Sequence, residues 1–334
     1  MAFPSPLRIG TRASVLARTQ AGWVAGRLQA LGLETTIETI STSGDHHADV
    51  PIAAIGRDGV FVRELERALL EDRIDVAVHS LKDMPTAETA GLTIASVPPR
   101  ATAFDALVAA PGTTLATLPP GAIVGTASVR RIAQVRHGRP DLVAVPVRGN
   151  VDTRLRKLEA GECHALVLAA AGLERLGLTA LITELLRPPT FWPAVAQGAL
   201  GVQVRDDDAR ARDAVVLLDD AETHAAVVAE RACLAALAGG CLAPIGGWAR
   251  REGGALVLGA CVLDDDPSGV RRLMAEARME TARDHAKVSA LDVCRSLGVA
   301  VAADLGAQGA GRMLEKARME KAHGRPLNME KGGA

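Results

Sequence analysis

Short apolar runs of the β type alternate with longer segments of helical periodicity over the first two thirds of the chain. The runs at residues 7–10 and 123–125, for example, each lead directly into a predicted helix. This order of short strand and amphipathic helix is typical of a mainly parallel sheet covered by helices. The pattern therefore predicts an α/β fold for this part of the chain.

The alternation occurs twice, and the second series of runs begins near residue 102. Two similar halves joined near residue 100 predict a bilobal protein with a cleft, because ligands of open α/β sheets bind at the carboxyl ends of the strands. The pattern changes at about residue 221 to a helix, a Gly-rich turn and two β-like runs at 246–249 and 255–263. This third segment is typical of a small α+β domain.

The end of the chain has a different character. After about Gly306 it is first rich in glycine and then charged, and the tetrapeptide ARME occurs at 277–280 and again at 317–320. Because the repeat does not continue, it indicates a short local duplication and not a solenoid. We expect residues 311–334 to be a mobile tail.

Composition narrows the classes of function. The 38 Lys and Arg residues nearly balance the 39 Asp and Glu residues, and the resulting net charge of −1 argues against a generally basic nucleic-acid binder. Four Phe, three Trp and no Tyr are too few for a function that needs several stacking aromatic side chains. The length of 334 residues predicts two or three domains.

The cysteines and the N-terminus bear on location. Five Cys residues without a Cys-x-x-Cys pair fit a reducing cytoplasm better than a disulfide framework, and their spacing is not that of a zinc site. The N-terminus lacks the features of a secretory signal, and the longest apolar runs are far shorter than the roughly 20 residues of a membrane span. We expect a cytoplasmic protein without a metal site.

Arginines recur where predicted strands end and helices begin. They are Arg12, Arg130, Arg131, Arg148 and Arg154, with the hydroxyl groups of Ser14, Thr126 and Ser128 nearby. Helix N-termini bind anions, and a planar guanidinium group matches a carboxylate with two hydrogen bonds. The pattern predicts a cleft that holds several carboxylates or phosphates, and the alternative is a set of solvated arginines and helix caps. The absence of a Gly-rich phosphate-binding motif disfavours a nucleotide.

Further segments could carry chemistry. Asp83 follows Lys82 after a buried-type strand, where a carboxylate could stabilise positive charge or move protons; a simple turn that pairs the two is the alternative. Cys241 lies in a Gly-Gly-Cys turn. Its thiol could be a nucleophile or covalent attachment point, and a small packed side chain is an equal alternative. Gln197 could line the cleft or satisfy the backbone at a hinge, and residues 56–59 could form a lid or a plain loop.

Longer motifs occur in one order along the chain. They are LRIGTRAS at 7–14, HSLKDMPT at 79–86, VGTASVRR at 124–131, RGNVDTRL at 148–155 and GGCLAPIG at 239–246. With these motifs the chain resembles the porphobilinogen deaminase family from residue 7 to about residue 250. The resemblance implies two periplasmic-binding-protein-like lobes with a cleft, plus a small α+β C-terminal domain. The implied bounds are 1–99 with 198–219 for lobe one, 100–197 for lobe two and 220–310 for the third domain.

The resemblance also implies an activity. In this family the cysteine that corresponds to Cys241 holds a dipyrromethane cofactor through a thioether. Four porphobilinogen molecules are added head to tail, each with loss of ammonia, and the linear tetrapyrrole hydroxymethylbilane is released by hydrolysis. The family expectation is a monomeric transferase of tetrapyrrole biosynthesis that binds neither nucleic acid nor membrane.

The candidate residues acquire roles from the same resemblance. Asp83 matches a catalytic aspartate that would hydrogen-bond pyrrole N–H groups, stabilise the cationic azafulvene left by ammonia and help to move the proton lost on rearomatisation. Lys82, Arg12 and Gln197 are expected to act with it. The residues expected to bind the cofactor along with Cys241, Lys82 and Asp83 are Ser14, Thr126, Ser128, Arg130, Arg131 and Gly149. The residues expected to bind substrate carboxylates are Arg12, Arg148, Arg154 and Arg175.

The chain departs from the family pattern in the predicted lid. The usual Gly-Gly-Lys-Gly is here Gly56-Arg57-Asp58-Gly59, and Ala54 stands where another lysine is common. The departure bears on the anion contacts of the lid and not on the reaction. The alternative function is a non-catalytic bilobal protein that binds anions or senses an effector. That alternative explains the lobes and the arginines, but not Cys241 on a third domain.

Overall fold

The computed structural model describes residues 5–40, 62–238, 243–264, 269–280 and 289–322, which form three β-sheets and nine α-helices. The strands are β1 (Leu7–Thr11), β2 (Thr35–Thr39), β3 (Val76–Ser80), β4 (Leu92–Ser96), β5 (Asp105–Ala109), β6 (Ile123–Gly125), β7 (Val143–Val145), β8 (Ala165–Ala169), β9 (Glu184–Leu186), β10 (Leu200–Arg205), β11 (Ile245–Glu252), β12 (Ala255–Leu263) and β13 (Arg272–Glu280). The helices are α1 (Val15–Ala30), α2 (Arg63–Leu70), α3 (Val129–Gly138), α4 (Val151–Glu159), α5 (Ala170–Arg175), α6 (Ala209–Val215), α7 (Ala221–Ala236), α8 (Ala290–Ala307) and α9 (Ala310–Ala322). None of the helices in these described ranges is both long and apolar enough to cross a membrane.

Two of the sheets have five strands and the same topology. The first sheet has the order β2-β1-β3-β10-β4, and the second has the order β7-β6-β8-β5-β9. In each sheet four strands run in the same direction, and one strand, β10 or β5, runs antiparallel to both of its neighbours. We call the first sheet with α1, α2 and α6 the first lobe, and the second sheet with α3, α4 and α5 the second lobe. The predicted α/β fold with two similar lobes is confirmed.

The antiparallel strand of each lobe begins where the chain has just crossed from the other lobe. The two crossing segments, residues 97–104 and 194–199, lie side by side, because the Ala101 N–H donates to the Gly198 carbonyl oxygen at 3.2 Å. Gly198 has a φ of 86°, and a Cβ there would lie 2.5 Å from the Ala101 carbonyl oxygen. Only glycine allows this close approach. The lobes are therefore joined by two crossing segments in direct backbone contact.

Local sequence signals account for the elements of the first lobe. The side chain of Ser14 accepts a hydrogen bond from the Ala17 N–H at 3.2 Å, so α1 begins with an N-cap of the usual kind. Val24 and Leu28, one turn apart on α1, are fully buried against the sheet. The apolar positions whose spacing predicts this helix are thus the positions that contact the core.

The third sheet, of order β11-β12-β13, is antiparallel and forms a third domain with α7, α8 and α9. α7 and α8 pack on it through a core that includes Cys233, Leu258, Leu297 and Val301. This is the small α+β unit that the sequence pattern predicts after about residue 221.

Aromatic side chains lie between the third domain and the second lobe. The ring of Trp192 lies against Gly259 of β12, and a Cβ on Gly246 of β11 would lie 2.5 Å from the Trp192 Cβ. Phe104 and Trp248 pack edge to face with ring centroids 5.0 Å apart. We call Phe104, Trp192 and Trp248 the aromatic seam.

The structure differs from the sequence-based expectation near the C-terminus. The sequence pattern does not predict β13, because its Ala, Arg, Glu and Met residues favour helices; pairing with β12 along the whole strand overrides that preference. The expected mobile tail begins instead as α9, whose Met313 and Leu314 are buried in the third-domain core. Residues 323–334 lie outside the described residues. ARME is therefore strand at 277–280 and helix at 317–320.

Candidate active site

The turn after β3 carries the two charged residues that the sequence singles out. A 3₁₀ turn (Leu81–Asp83) follows the strand directly. Leu81 and Met84 are buried and anchor the turn in the core, whereas Asp83 is exposed and Lys82 is half-buried. The turn thus presents a carboxylate to solvent from a fixed backbone.

Lys82 has an electrostatic environment that weakens its charge. Burial is the main cause that lowers the pKa of Lys82 to about 8; the carboxylates of Asp83 and Asp105 oppose this shift, and the cations Arg131 and Arg130 add to it. The ammonium group of Lys82 therefore titrates within the range in which most enzymes are assayed.

The junction between β6 and α3 supplies hydroxyl groups on the second lobe. Thr126 is buried, and its hydroxyl accepts a hydrogen bond from the Ser128 N–H at 3.4 Å. Ser128 is the N-cap residue of α3, yet within the described residues its hydroxyl makes no capping hydrogen bond to that helix. The Ser128 hydroxyl and the first N–H groups of α3 can therefore bind an anion.

A buried carboxylate that the sequence reasoning missed lies beside this junction. Asp105, at the start of β5, has no solvent exposure, and it accepts hydrogen bonds from Arg130 Nη1 at 2.7 Å and from Arg131 Nε at 2.9 Å. Burial opposes ionisation, but the attraction of Arg130 and Arg131 prevails and holds the pKa of the Asp105 carboxyl well below its usual range. The available signal was an acidic residue at the start of the otherwise apolar strand DALVA.

Arg130 and Arg131, predicted as ligands of an external anion, are largely engaged with the protein itself. Besides Asp105, Arg130 donates to the Trp192 carbonyl oxygen, and Arg131 Nη1 donates to the Val167 carbonyl oxygen at 3.0 Å. Both side chains are buried. The two guanidinium groups share one carboxylate, which leaves the three side chains with a net charge of +1. This charge acts on the cleft through its electric field.

Gln197, on the second crossing segment, connects the two lobes. Its Nε2 donates to the Asp105 carboxylate at 3.0 Å and to the Ala103 carbonyl oxygen at 2.8 Å. This fixes the orientation of the amide, so Oε1 accepts from Lys82 Nζ at 3.5 Å and from Arg131 Nη2 at 3.4 Å. Gln197 is fully buried, and it joins the lysine of the first lobe to the carboxylate of the second.

The N-terminus of α4 adds two more cations. Gly149 has a φ of 107°, and Arg154 Nε donates to its carbonyl oxygen at 2.8 Å. Burial, and then the positive charges of Arg131 and Arg148, lower the pKa of Arg154 to about 10, against the opposing charge of Asp83. Cations that disfavour one another in this way form a site with surplus positive charge.

The remaining predicted residues within the described ranges follow β1 or end α5. Arg12 follows β1 and is half-buried, and the Ser14 hydroxyl serves as the cap of α1. Arg175 Nη2 donates to the Gly198 carbonyl oxygen at 2.7 Å, and burial lowers the pKa of Arg175 to about 10. Cys241 and the predicted lid at 56–59, with Ala54, lie outside the described residues.

The structure brings seven of the predicted residues into one electrostatic neighbourhood. They are Lys82, Asp83, Arg130, Arg131, Arg148, Arg154 and Gln197. The charge of Asp83 opposes the lowering of the pKa of Lys82 and of two second-lobe arginines, Arg131 and Arg154. A ligand with several carboxylates and N–H donors fits such a site. Within the described residues, no group of three or more His, Cys, Asp or Glu side chains could hold a metal ion.

Comparison with known proteins gives a consistent set of matches. Residues 7–213 match the family described as porphobilinogen deaminase, dipyromethane cofactor binding domain, and residues 224–306 match porphobilinogen deaminase, C-terminal domain. Porphobilinogen deaminase of Roseiflexus castenholzii is 48% identical over 290 residues, which cover 82% of this chain and 96% of that protein. Porphobilinogen deaminase of Acidothermus cellulolyticus is 47% identical over 315 residues, which cover 93% of this chain and 92% of that protein.

Similarity to solved structures is remote. The methionine binding protein MetQ has 12% sequence identity and a TM-score of 0.43, with 65% of this chain and 90% of that chain covered. A likeness at this level decides nothing, so the description of the fold rests on the sheet topology given above.

Proposed function

The chain belongs to the porphobilinogen deaminase family, and from this premise we propose how its residues carry out the reaction. It is a transferase of tetrapyrrole biosynthesis that joins four porphobilinogen molecules head to tail with loss of ammonia, on a covalently bound dipyrromethane cofactor. The product, hydroxymethylbilane, is released by hydrolysis. The observation that supports our assignment of roles is that the buried amide of Gln197 contacts both Lys82 Nζ, next to Asp83, and the Asp105 carboxylate of the second lobe.

The assignment of domains follows the sheets. We place residues 1–99 and 198–219 in lobe one, residues 100–197 in lobe two and residues 220–310 in the third domain. The pairing of β10 with β3 and β4 supports the return of the chain to lobe one. The α9 helix extends the third domain beyond residue 310.

Asp83 is the residue that we assign to the chemistry. Its exposed carboxylate can accept hydrogen bonds from pyrrole N–H groups. When the C–N bond to ammonia breaks, a carboxylate at this place stabilises the positive charge left on the substrate ring. After the new C–C bond forms, the same carboxylate can accept the proton that the ring loses as it regains aromaticity.

Lys82 and Gln197 support that carboxylate. The ammonium group of Lys82 lies next to Asp83 in the chain, and the carboxylate of Asp83 opposes the lowering of the pKa of Lys82. Gln197 is fully buried, so we assign it a positioning role in which its amide oxygen holds Lys82 Nζ at 3.5 Å. Arg12, from the end of β1, completes this side of the cleft.

The cations and hydroxyls of the cleft bind carboxylates. Each pyrrole ring of substrate and product carries acetate and propionate groups, so the growing chain presents many negative charges. We assign the second-lobe groups to this task because they surround the N-termini of α3 and α4. They are Thr126, Ser128, Arg148, Gly149 and Arg154, together with Ser14 and Arg175. Arg130 and Arg131, which are paired with Asp105, add their positive charge to the field in the cleft.

Cys241 is the residue that we assign to cofactor attachment. The cysteines Cys163, Cys233, Cys261 and Cys294 are buried. Burial raises the pKa of each thiol, to about 12 for Cys233 and Cys261. Such thiols are poor nucleophiles. When bound, the dipyrromethane supplies the pyrrole to which the first substrate ring is joined, and Lys82, Asp83 and Ser128 would hold its carboxylates and N–H groups.

The alternative of a non-catalytic anion-binding protein is not favoured, because family membership extends through the domain that carries Cys241. We further propose that the protein is a cytoplasmic monomer.

Intact mass spectrometry tests the proposal. We expect the purified protein to be heavier than its sequence by two pyrrole units, and we expect Cys241→Ser to have the bare mass and no activity. Cys294→Ala, which removes a buried thiol, should keep both the added mass and the activity. Active protein with the bare mass, or added mass that persists in Cys241→Ser, would contradict the assignment.

A further inference from the structure

Arg231, near the middle of α7, contacts the turn that carries Lys82 and Asp83. Its Nη2 donates to the Pro85 carbonyl oxygen at 2.6 Å. Its Nη1 lies 3.3 Å from the Met84 carbonyl oxygen and 3.5 Å from the Leu81 carbonyl oxygen. One guanidinium group of the third domain thus binds three backbone carbonyls of a first-lobe turn.

The turn needs such a partner because it cannot continue as a helix. Pro85 lacks an N–H group and ends the 3₁₀ turn, and the carbonyl groups at the end of a helical turn have no intrahelical donors. The Met84 N–H satisfies the Leu81 carbonyl only at 3.2 Å. A planar guanidinium with five N–H groups in fixed directions can hold several carbonyl oxygens in one arrangement.

Apolar contacts already join α7 to the same turn. Val227 and Leu234, on the same face of α7 as Arg231, pack in one cluster with Leu81 and Met84. A Leu or Met at position 231 would extend this contact without the free energy needed to remove a cation from water. Arg231 therefore fixes the orientation and position of the turn, whereas the apolar contacts attach the turn to α7.

The neighbouring residue of α7 fixes the crossing segments. Glu230 is fully buried, accepts from Arg100 Nη1 at 2.6 Å, and accepts from the Ala196 N–H at 2.6 Å. α7 is therefore held against the crossing segments by one residue and against the Lys82–Asp83 turn by the next. The same helix ends at Ala236, shortly before Cys241 in the chain.

We propose that Arg231 is a positioning residue that sets the place of the Lys82–Asp83 turn relative to α7, and with it the place of the Asp83 carboxylate in the cleft. This inference rests on the role proposed above for Asp83. It assigns to α7 the alignment of the first-lobe turn that carries this carboxylate.

The test compares two arginines that bind carbonyl oxygens across a domain boundary. Arg231→Met removes the contact to the turn, and Arg272→Met removes a matched contact, in which Arg272 Nη1 donates to the Pro189 and Thr190 carbonyl oxygens at 3.0 and 3.2 Å. We expect Arg231→Met holoenzyme to lose about 10- to 100-fold in kcat with KM changed less than about threefold, because a misplaced catalytic group costs up to about 10²-fold. Arg272→Met should keep both constants.

A second comparison shows whether Arg231 acts through Asp83. Asp83→Glu keeps a carboxylate but displaces it, so Arg231→Met should cause a much smaller loss in the Asp83→Glu background than in the native protein. Arg231→Lys, which can reach one carbonyl, should recover part of the lost kcat. If Arg231→Met does not fold, Arg231→Lys and Arg231→Gln carry the same comparison.

The outcomes separate this inference from the proposed function. Full activity of Arg231→Met, equal losses in both arginine variants, or equal losses with and without Asp83→Glu would overturn the role of Arg231. If Asp83→Asn stays fully active, the proposed role of Asp83 fails first. An inactive Asp83→Asn together with a fully active Arg231→Met leaves the proposed function intact and removes only the positioning role.

Discussion

The two lobes share one topology but use its equivalent positions in opposite ways. β1 and β6 occupy the same place in their sheets, and each leads into a helix that begins at a serine. In the first lobe the Ser14 hydroxyl caps its own helix. In the second lobe, within the described residues, the Ser128 hydroxyl does not, and Arg130 and Arg131 follow it in the first turn. The Ser14 hydroxyl thus keeps only its O–H to donate to a ligand, whereas we propose that the Ser128 hydroxyl faces an anion together with the first N–H groups of α3.

The third strand of each sheet shows the same contrast. β3 ends in the turn with Lys82 and exposed Asp83, whereas β8 runs into α5, whose first residues are apolar and buried. The first lobe therefore presents an exposed carboxylate, to which we assign the chemistry, and the second lobe presents the cations to which we assign binding. Two lobes of the same fold can take different roles in one reaction. Each lobe keeps the same core, while the residues that follow its strands differ.

The largest expected effect tests the first half of this comparison. Asp83→Asn should lower kcat by about 10³-fold or more, since a positioned acid–base group contributes about 10²- to 10⁴-fold and charge stabilisation adds to it. Because Asp83 is exposed, the melting temperature should stay unchanged. The rate of hydroxymethylbilane formation and thermal unfolding are the measurements. A loss of stability equal to the loss of rate would argue for a structural role.

The second prediction concerns the buried carboxylate of the second lobe. Asp105→Ala leaves two buried guanidinium groups without their partner and should lower the free energy of unfolding by about 3–5 kcal/mol. Asp72, 73% exposed and paired with Arg8 in the first lobe, is the control. Because Asp72 has a φ of 54°, the variant is Asp72→Asn, which should cost less than about 1 kcal/mol. Denaturant unfolding measures both. Equal costs would mean that Asp105 does not hold the cluster together.

The third prediction uses the different pKa values of the cations. The ammonium of Lys82 is charged below pH 8 and loses its proton above it, so kcat/KM should fall as the pH rises through about 8. Arg154, with a pKa lowered only to about 10, should add no titration in that range. Lys82→Arg keeps the positive charge and should move the fall to higher pH. An unchanged alkaline limb in this variant would exclude Lys82 as its source.

The smallest effects distinguish the equivalent serines. Ser14→Ala removes a helix cap and should cost about 0.5–2 kcal/mol of stability. Ser128→Ala should change stability by less than about 0.5 kcal/mol, because its hydroxyl makes no cap bond within the described residues, and should instead raise KM for porphobilinogen several-fold. If Ser128→Ala is the less stable of the two, the contrast between the junctions is wrong.

Much of the fold could be predicted from periodicity, because buried strands and amphipathic helices leave a local signal. β1, α1 and β6 follow this rule. β10 could not be placed in the first sheet by local pattern, since its partners β3 and β4 are more than a hundred residues away in sequence. β13 and α9 share the tetrapeptide ARME, so only tertiary pairing decides their different structures.

Part of the candidate site could also be predicted from local sequence patterns. Charged residues that follow strands, such as Lys82, Asp83 and Arg12, stand out against apolar neighbours. Asp105 did not, because its importance lies in its contacts with two arginines from another element and with Gln197 from the opposite crossing segment. Arg231 likewise acts on backbone carbonyls, which carry no side-chain signature in the sequence.

The aromatic seam has a consequence for spectroscopy. The chain has three Trp and no Tyr, so its near-ultraviolet emission comes from very few fluorophores. Two of them, Trp192 and Trp248, lie between the third domain and the second lobe, and the third, Trp23, lies partly exposed on α1. The intrinsic tryptophan fluorescence of the unlabelled protein therefore depends chiefly on whether water reaches the boundary between these two domains. In a Trp23→Phe variant only Trp192 and Trp248 would fluoresce, so the emission would report the separation of these two domains during turnover.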